Sequence, residues 1–118
     1  MNVIFGKENL DQIDERYTAL ELETLLVAKD KEPITNYAIV GPDSGLGSML
    51  KLKQFIPVHE ALIRNYKKQD WNFCLQAIEK LRGNIDPFMD TFYDILESRI
   101  QKQMENPSKD WSYILDLS

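Results

Sequence analysis

The chain has 118 residues, of which 43% are hydrophobic and 28% charged, and its formal net charge is −5. This length and composition predict a single domain with a hydrophobic core and exclude a disordered or collagen-like chain. The acidic balance argues against general nucleic-acid binding, which needs clustered cations, and the short apolar runs exclude a spanning helix.

The first 41 residues have mostly the two-residue periodicity that is typical of strands. Residues 2–5 predict a strand, and residues 8–13 predict one or two helical turns. Residues 18–27 and 34–40 predict two strands that a short polar turn joins into an antiparallel hairpin. In the first hairpin strand, the alternation predicts one shared face for Leu20, Leu22 and Thr24.

A connector rich in glycine, residues 42–48, separates this β segment from a region of helical periodicity. The first helix has Pro57 either in its first turn, with a start near Ile56, or at a kink within a longer helix. Its apolar stripe consists of Leu52, Phe55, Ile56, His59, Leu62, Ile63 and Tyr66.

Two more helices follow, and both have clear end signals. Asp70 is the expected N-cap of the second helix and Gly83 its end, while Asp86-Pro87 opens the third helix and Asn106-Pro107 ends it. The apolar stripes of the two helices are Trp71, Cys74, Ala77, Ile78 and Leu81, and then Met89, Phe92, Tyr93, Leu96 and Ile100. Trp111, Ile114 and Leu115 supply a final apolar contact.

These elements predict an α+β fold in which a small antiparallel sheet with one short helix precedes three helices. We expect residues 1–41, the connector 42–48 and the helical segment 49–118 to form one compact domain. Cys74 is the single cysteine and the first residues lack the pattern of a secretory signal, so we expect a cytoplasmic protein.

The β segment resembles the last part of a class III adenylate/guanylate cyclase catalytic domain. In that family a strand of the type aromatic-x-Glu-Leu-x-x-Val-x-Val precedes a turn of the type Lys-Gly-Lys-x-Glu-Pro and a strand of the type Val-x-Val-Tyr-x-Val-x-Gly. The matching residues are Tyr17, Leu20, Glu21, Leu22, Leu25, Val27, Glu32, Pro33, Ile34, Tyr37, Ile39, Val40 and Gly41. In that family the metal-binding aspartates and the residues that read the base lie upstream of this region, so the resemblance implies a segment without catalytic residues.

The helical segment resembles two known patterns. Residues 66–75 are similar to the centre of a tetratricopeptide repeat, with Cys74 at the small position and Gln69 where the turn usually has glycine. The same region resembles the tail that follows many bacterial cyclase domains, through Tyr66, Asp70, Trp71, Tyr93, Arg99, Ile100, Pro107, Asp110 and Trp111. The order of both matches implies a remnant or a fragment of a cyclase C-terminus.

The residue types that usually carry catalysis are predicted to be structural. His59 and Cys74 lie within apolar stripes, and one histidine with one cysteine makes no usual zinc site. The row Asp86, Asp90, Asp94 and Glu97 occupies one helix face, where a solvated acidic surface is the ordinary interpretation. We therefore predict no catalytic residue, metal site or cofactor.

Seven residues are candidates for contact with an anion or a partner: Lys29, Lys31, Arg64, Lys67, Lys68, Gly45 and Gly47. The leading hypothesis is a non-catalytic interaction or regulatory module. Its partner would be a second copy, through an exposed sheet edge, or an acidic protein. The alternative is a module that binds a nucleotide or small anion through the glycine-rich loop or the turn lysines.

Overall fold

The computed structural model describes residues 2–41 and 45–118. These residues divide into a sheet unit, Met1–Gly45 with Ser112–Ser118, and a helical unit, Leu46–Trp111. The predicted α+β class is confirmed: the described part of the chain contains a small sheet and three long helices. Within it, no helix is long and apolar enough to cross a membrane.

The sheet unit contains four strands in the order β1-β3-β2-β4. β1 (Asn2–Phe5) is followed by a short 3₁₀ helix (Lys7–Gln12), and β2 (Thr18–Leu26) and β3 (Ile34–Val40) form the predicted antiparallel hairpin. β1 pairs antiparallel with β3. β4 (Ile114–Asp116) pairs parallel with β2, so the sheet is mixed where an antiparallel one was predicted.

A β-bulge changes the faces of β2. Between Glu21 and Thr24, β2 has one residue more than the facing stretch of β3, which shifts the alternation of side chains. Leu20 lies opposite Ala38 before the bulge, and Thr24 lies opposite Thr35 after it. Leu20 and Thr24 are therefore on opposite faces, and the single face predicted for them is wrong.

The helical unit consists of α1 (Gly45–Lys67), α2 (Trp71–Leu81) and α3 (Pro87–Glu105). α1 begins at Gly45 and contains Pro57, so the longer of the two predicted helices is the one that forms. The connector is accordingly shorter than predicted: residues 45–48 are helical, and residues 42–44 lie outside the described part of the chain.

The predicted caps and stripes of α2 and α3 are confirmed. The Asp70 carboxylate accepts a hydrogen bond from the Phe73 amide, and the Asp86 carboxylate accepts one from the Phe88 amide. Gly83 follows α2 with φ of 81°, a conformation that glycine adopts without strain. The buried residues of both helices are Cys74, Ala77, Ile78, Leu81, Met89, Phe92, Tyr93, Leu96 and Ile100.

The turn between α1 and α2 contains a strained residue. Gln69 has φ of 63°, in the left-handed region where a side chain costs about 1–2 kcal/mol. This is the position at which the tetratricopeptide resemblance expects glycine. Cys74, at the small position of the same pattern, has its Sγ 3.8 Å from the carbonyl oxygen of Leu62 in α1.

Replacement of this strained residue tests the geometry of the turn. We expect Gln69→Gly to raise the free energy of unfolding by about 0.5–1 kcal/mol, because it removes the left-handed penalty while adding backbone entropy to the unfolded chain. The matched control is Gln76→Gly on the exposed side of α2. This substitution should lower the free energy of unfolding by a similar amount, because glycine is unfavourable within a helix. Urea unfolding of both variants measures the difference, and a destabilised Gln69→Gly chain would contradict the assigned turn.

Candidate interaction surface

His59 is the only histidine of the chain, and its side chain is entirely buried. Its Nδ1 lies 2.9 Å from the hydroxyl oxygen of Tyr93, within hydrogen-bond distance. The imidazole also contacts the rings of Tyr93 and Phe92, at centroid distances of 5.8 and 6.2 Å. His59 therefore connects α1 to α3 inside the helical unit, in a position closed to bulk solvent.

Tyr93 is equally buried, and burial raises the pKa of its phenol above the usual value, with a further contribution from the negative charge of Asp90. The phenol consequently keeps its proton at neutral pH. A protonated hydroxyl is able to donate to an imidazole nitrogen or to accept from it, so the pair can be satisfied in either histidine tautomer. This geometry fits a structural hydrogen bond between two helices.

Cys74 has the environment of an unreactive thiol. Its side chain is fully buried. Burial, followed by the negative charge of Asp70, raises the pKa of the thiol to about 12. Because the thiolate is the nucleophilic form, Cys74 has very little reactive species at neutral pH.

The acidic row of α3 is used within the helical unit. Asp86 caps α3, and the Asp90 carboxylate accepts a 2.8 Å hydrogen bond from the amide of Gly83. Arg82 reaches Asp94 at 2.8 Å and Glu97 at 3.4 Å. These contacts fix the α2–α3 connection, so the row is not merely the solvated face that its spacing predicted. Among the described residues, no group of three histidine, cysteine or carboxylate side chains could hold a metal ion.

The predicted contact residues fall into separate parts of the chain. Lys29 and Lys31 are exposed in the turn between β2 and β3, where the amide of Lys31 donates to the carbonyl of Ala28. Gly45 and Gly47 lie in the first turns of α1, so the predicted loop does not extend to them. As helical residues, these two glycines do not form the glycine-rich turn that was predicted to hold a phosphate.

The remaining three candidates lie at the end of α1. Arg64 and Lys67 are exposed in the last turn of this helix, and Lys68 is exposed in the turn that follows it. The spacing of three residues places Arg64 and Lys67 on one side of the helix. Their charges also suit the negative end of the helix dipole, which is the structural explanation for cations at this position.

The helical unit also contains an aromatic cluster. Tyr66, Trp71 and Trp111 pack edge to face, with ring centroids 5.1–5.7 Å apart. Tyr66 is buried, whereas both indoles are half-exposed. The three residues come from α1, α2 and the segment after α3, so periodicity within one helix could not reveal the cluster. Arg64, Lys67 and Lys68, at and just after the end of α1, are the first candidate surface.

The open edge of β1 is the second candidate surface. The amide of Gly6 donates to the carbonyl of Thr35, so in the antiparallel register the backbone groups of Val3 and Phe5 are directed away from β3. The side chain of Asn9 donates to the carbonyl oxygen of Phe5 and covers part of this edge. The Phe5 side chain is 61% exposed.

No protein-family model, curated protein or solved structure matches the chain. The resemblance to cyclase C-termini and to their helical tails therefore stays a prediction.

The raised pKa of Cys74 predicts a loss of stability in alkali. The unfolded thiol ionises near pH 9 and the folded thiol near pH 12, so the folded chain keeps a proton that the unfolded chain releases. Between pH 9 and 10 the free energy of unfolding should fall by about 1 kcal/mol from this group alone. Urea unfolding at both pH values measures the slope, with Cys74→Ala as the control. Equal slopes in the two proteins would contradict the assignment.

Proposed function

We propose that the chain is a non-catalytic interaction or regulatory module that associates with a second copy or with an acidic protein. The proposal is supported by one observation: the side chains that could be reactive make structural contacts within the fold. His59 and Cys74 are buried, and the carboxylates of α3 cap helices or pair with Arg82. The groups that remain at the surface, lysines, arginine and half-exposed aromatics, suit recognition.

The resemblance to cyclase C-termini is consistent with this role. It would make the chain equivalent to a region that lies after the metal-binding aspartates, and phosphoryl chemistry depends on such positioned metal ligands. Under this hypothesis the chain contributes an association surface, and the proposal includes no catalytic step.

The alternative function is binding of a nucleotide or another small anion through Lys29 and Lys31, which are both exposed in one turn.

Thermal unfolding with millimolar ATP or GTP, with and without Mg²⁺, separates the two functions. We expect the melting temperature to change by less than about 1 °C, whereas a ligand at ten times its Kd would raise it by about 5 °C. A rise of that size, lost in Lys29→Ala/Lys31→Ala, would favour the anion-binding function.

Self-association is proposed to use the β1 edge. An unpaired strand edge can add a strand from a second molecule, and the exposed Phe5 ring lies on the same strand. The outward N–H of Val3 would donate across the interface. Asn9 limits the length of pairing, which predicts a weak dimer that forms at micromolar or higher concentration.

Sedimentation velocity at 5 and 200 µM tests this dimer. We expect the sedimentation coefficient to rise with concentration in the wild type but not in Val3→Pro, which removes an outward N–H and leaves the hydrogen bonds between β1 and β3 in place. Phe5→Lys is a second variant, since it adds a charge at an exposed position without altering the backbone. Wild-type chains that remain monomeric at 200 µM would contradict self-association.

A further inference from the structure

We infer that Asn9 regulates pairing at the open edge of β1, and that its side chain sets the register in which two copies of the chain meet. The inference concerns regulation of the self-association proposed above and rests on that proposal. β1 is an outer strand of the sheet, and the Asn9 carboxamide donates a hydrogen bond to the carbonyl oxygen of Phe5, which is directed away from β3. Asn9 therefore occupies an acceptor that an added strand would use.

The backbone at the end of β1 holds Asn9 in this position. The Gly6 amide donates to the carbonyl of Thr35 on β3, and the Gly6 carbonyl accepts from the Asn9 amide. Gly6 has φ of 89°, which glycine adopts without steric cost, and a Cβ atom there would overlap the Glu8 carboxylate. The chain thus returns sharply after β1, and the side chain of Asn9 on the 3₁₀ helix reaches Phe5.

The outward backbone groups of Val3 and Phe5 allow three antiparallel registers between two copies related by a two-fold axis. Val3 opposite Val3 gives two hydrogen bonds, and neither ends at the Phe5 carbonyl. Val3 opposite Phe5 gives four, of which two end at that carbonyl, and Phe5 opposite Phe5 gives two that both end there. Because Asn9 covers the Phe5 carbonyl, the native chain favours the Val3–Val3 register.

Loss of the Asn9 carboxamide would favour the register with four hydrogen bonds, which we call the four-bond register. In this register the Phe5 ring, 61% exposed, would lie opposite Val3 of the second copy, so the edge complements itself. The two registers differ by two residues, and each side chain keeps its face of the sheet. The pairing uses the β1 edge of both copies and therefore ends at a dimer.

Sedimentation velocity of the full chain between about 1 and 200 µM tests the regulation. We expect Asn9→Ala to lower the dissociation constant of the dimer about tenfold, because two hydrogen bonds are gained per dimer. Gln12→Ala removes another exposed amide side chain from the 3₁₀ helix and should leave the constant unchanged. Asn84→Ala should do the same, since it removes a matching bond, from a carboxamide to the carbonyl of Lys80 four residues earlier, at the end of α2.

Cross-linking of Ile4→Cys measures the register. The native Cys74 is buried, so the introduced thiol is the accessible one. In the four-bond register the two Ile4 positions face each other with Cα atoms about 4.5 Å apart, within reach of a disulfide, whereas in the Val3–Val3 register Ile4 faces Asn2. At equal fractions of dimer, we expect mild oxidation to cross-link Asn9→Ala/Ile4→Cys and not Ile4→Cys alone.

Four outcomes would overturn the inference. They are an unchanged or raised dissociation constant in Asn9→Ala, an equal fall in either control variant, equal cross-linking with and without Asn9→Ala, and association of Asn9→Ala that persists in Asn9→Ala/Val3→Pro or grows beyond a dimer. Val3→Pro should abolish the gain because proline removes an outward N–H that the new bonds use.

Failure of this inference is distinguishable from failure of the proposed self-association. If the wild type stays monomeric while Asn9→Ala dimerises through β1, self-association of the native chain is contradicted and regulation by Asn9 is supported. If the wild type and Asn9→Ala dimerise with the same constant, self-association stands and the role of Asn9 is wrong.

Discussion

The hydrogen bond between His59 and Tyr93 is the interaction on which the helical unit most depends. Both side chains are buried, and they come from α1 and α3, 34 residues apart in the chain. A buried polar group without a partner costs about 1–3 kcal/mol, so a packing that brings the two groups together is favoured over one that separates them. Apolar stripes tolerate sliding and rotation much better than this pair does, and the hydrogen bond therefore selects one arrangement of the helices.

The packing of the helical unit also encloses its only histidine and its only cysteine. A histidine that holds two helices together is removed from solvent, and the same packing buries Cys74 against the backbone of α1. The α3 carboxylates hold the connection from α2 through Arg82 and the Gly83 amide. These side chains therefore contribute to cohesion within the helical unit, whereas Arg64, Lys67 and Lys68 are exposed at and just after the end of α1.

Features that depend on neighbouring residues could be predicted from the sequence. The Asp70 cap, the Asp86-Pro87 start and the Gly83 end of α2 each involve a contact within a few residues, and the stripes follow from helical geometry alone. The burial of His59 followed from its place in a stripe, but its bond to Tyr93 did not, because nothing in the sequence specifies which residue of a distant helix it meets.

The features that the sequence did not predict are non-local or result from one inserted residue. β4 pairs with β2 across ninety positions of the chain, and three residues are too few for a clear alternation. The bulge between Glu21 and Thr24 places the second half of β2 on the opposite alternation from the first half. The order of apolar and polar residues in the sequence does not indicate this change. The aromatic cluster had one usable signal: Tyr66 and Trp71 lie on either side of the short turn between α1 and α2, whereas nothing local predicts that Trp111 joins them.

The most direct test of the account is the unfolding free energy of Tyr93→Phe in urea, because this substitution removes a single hydroxyl and keeps the ring. If the hydrogen bond to His59 holds α1 and α3 together, the free energy should fall by about 1–2 kcal/mol while the circular dichroism of the folded chain stays unchanged. An unfolding free energy equal to or greater than that of the wild type would contradict a structural role for the pair and reopen the question of what the only histidine does.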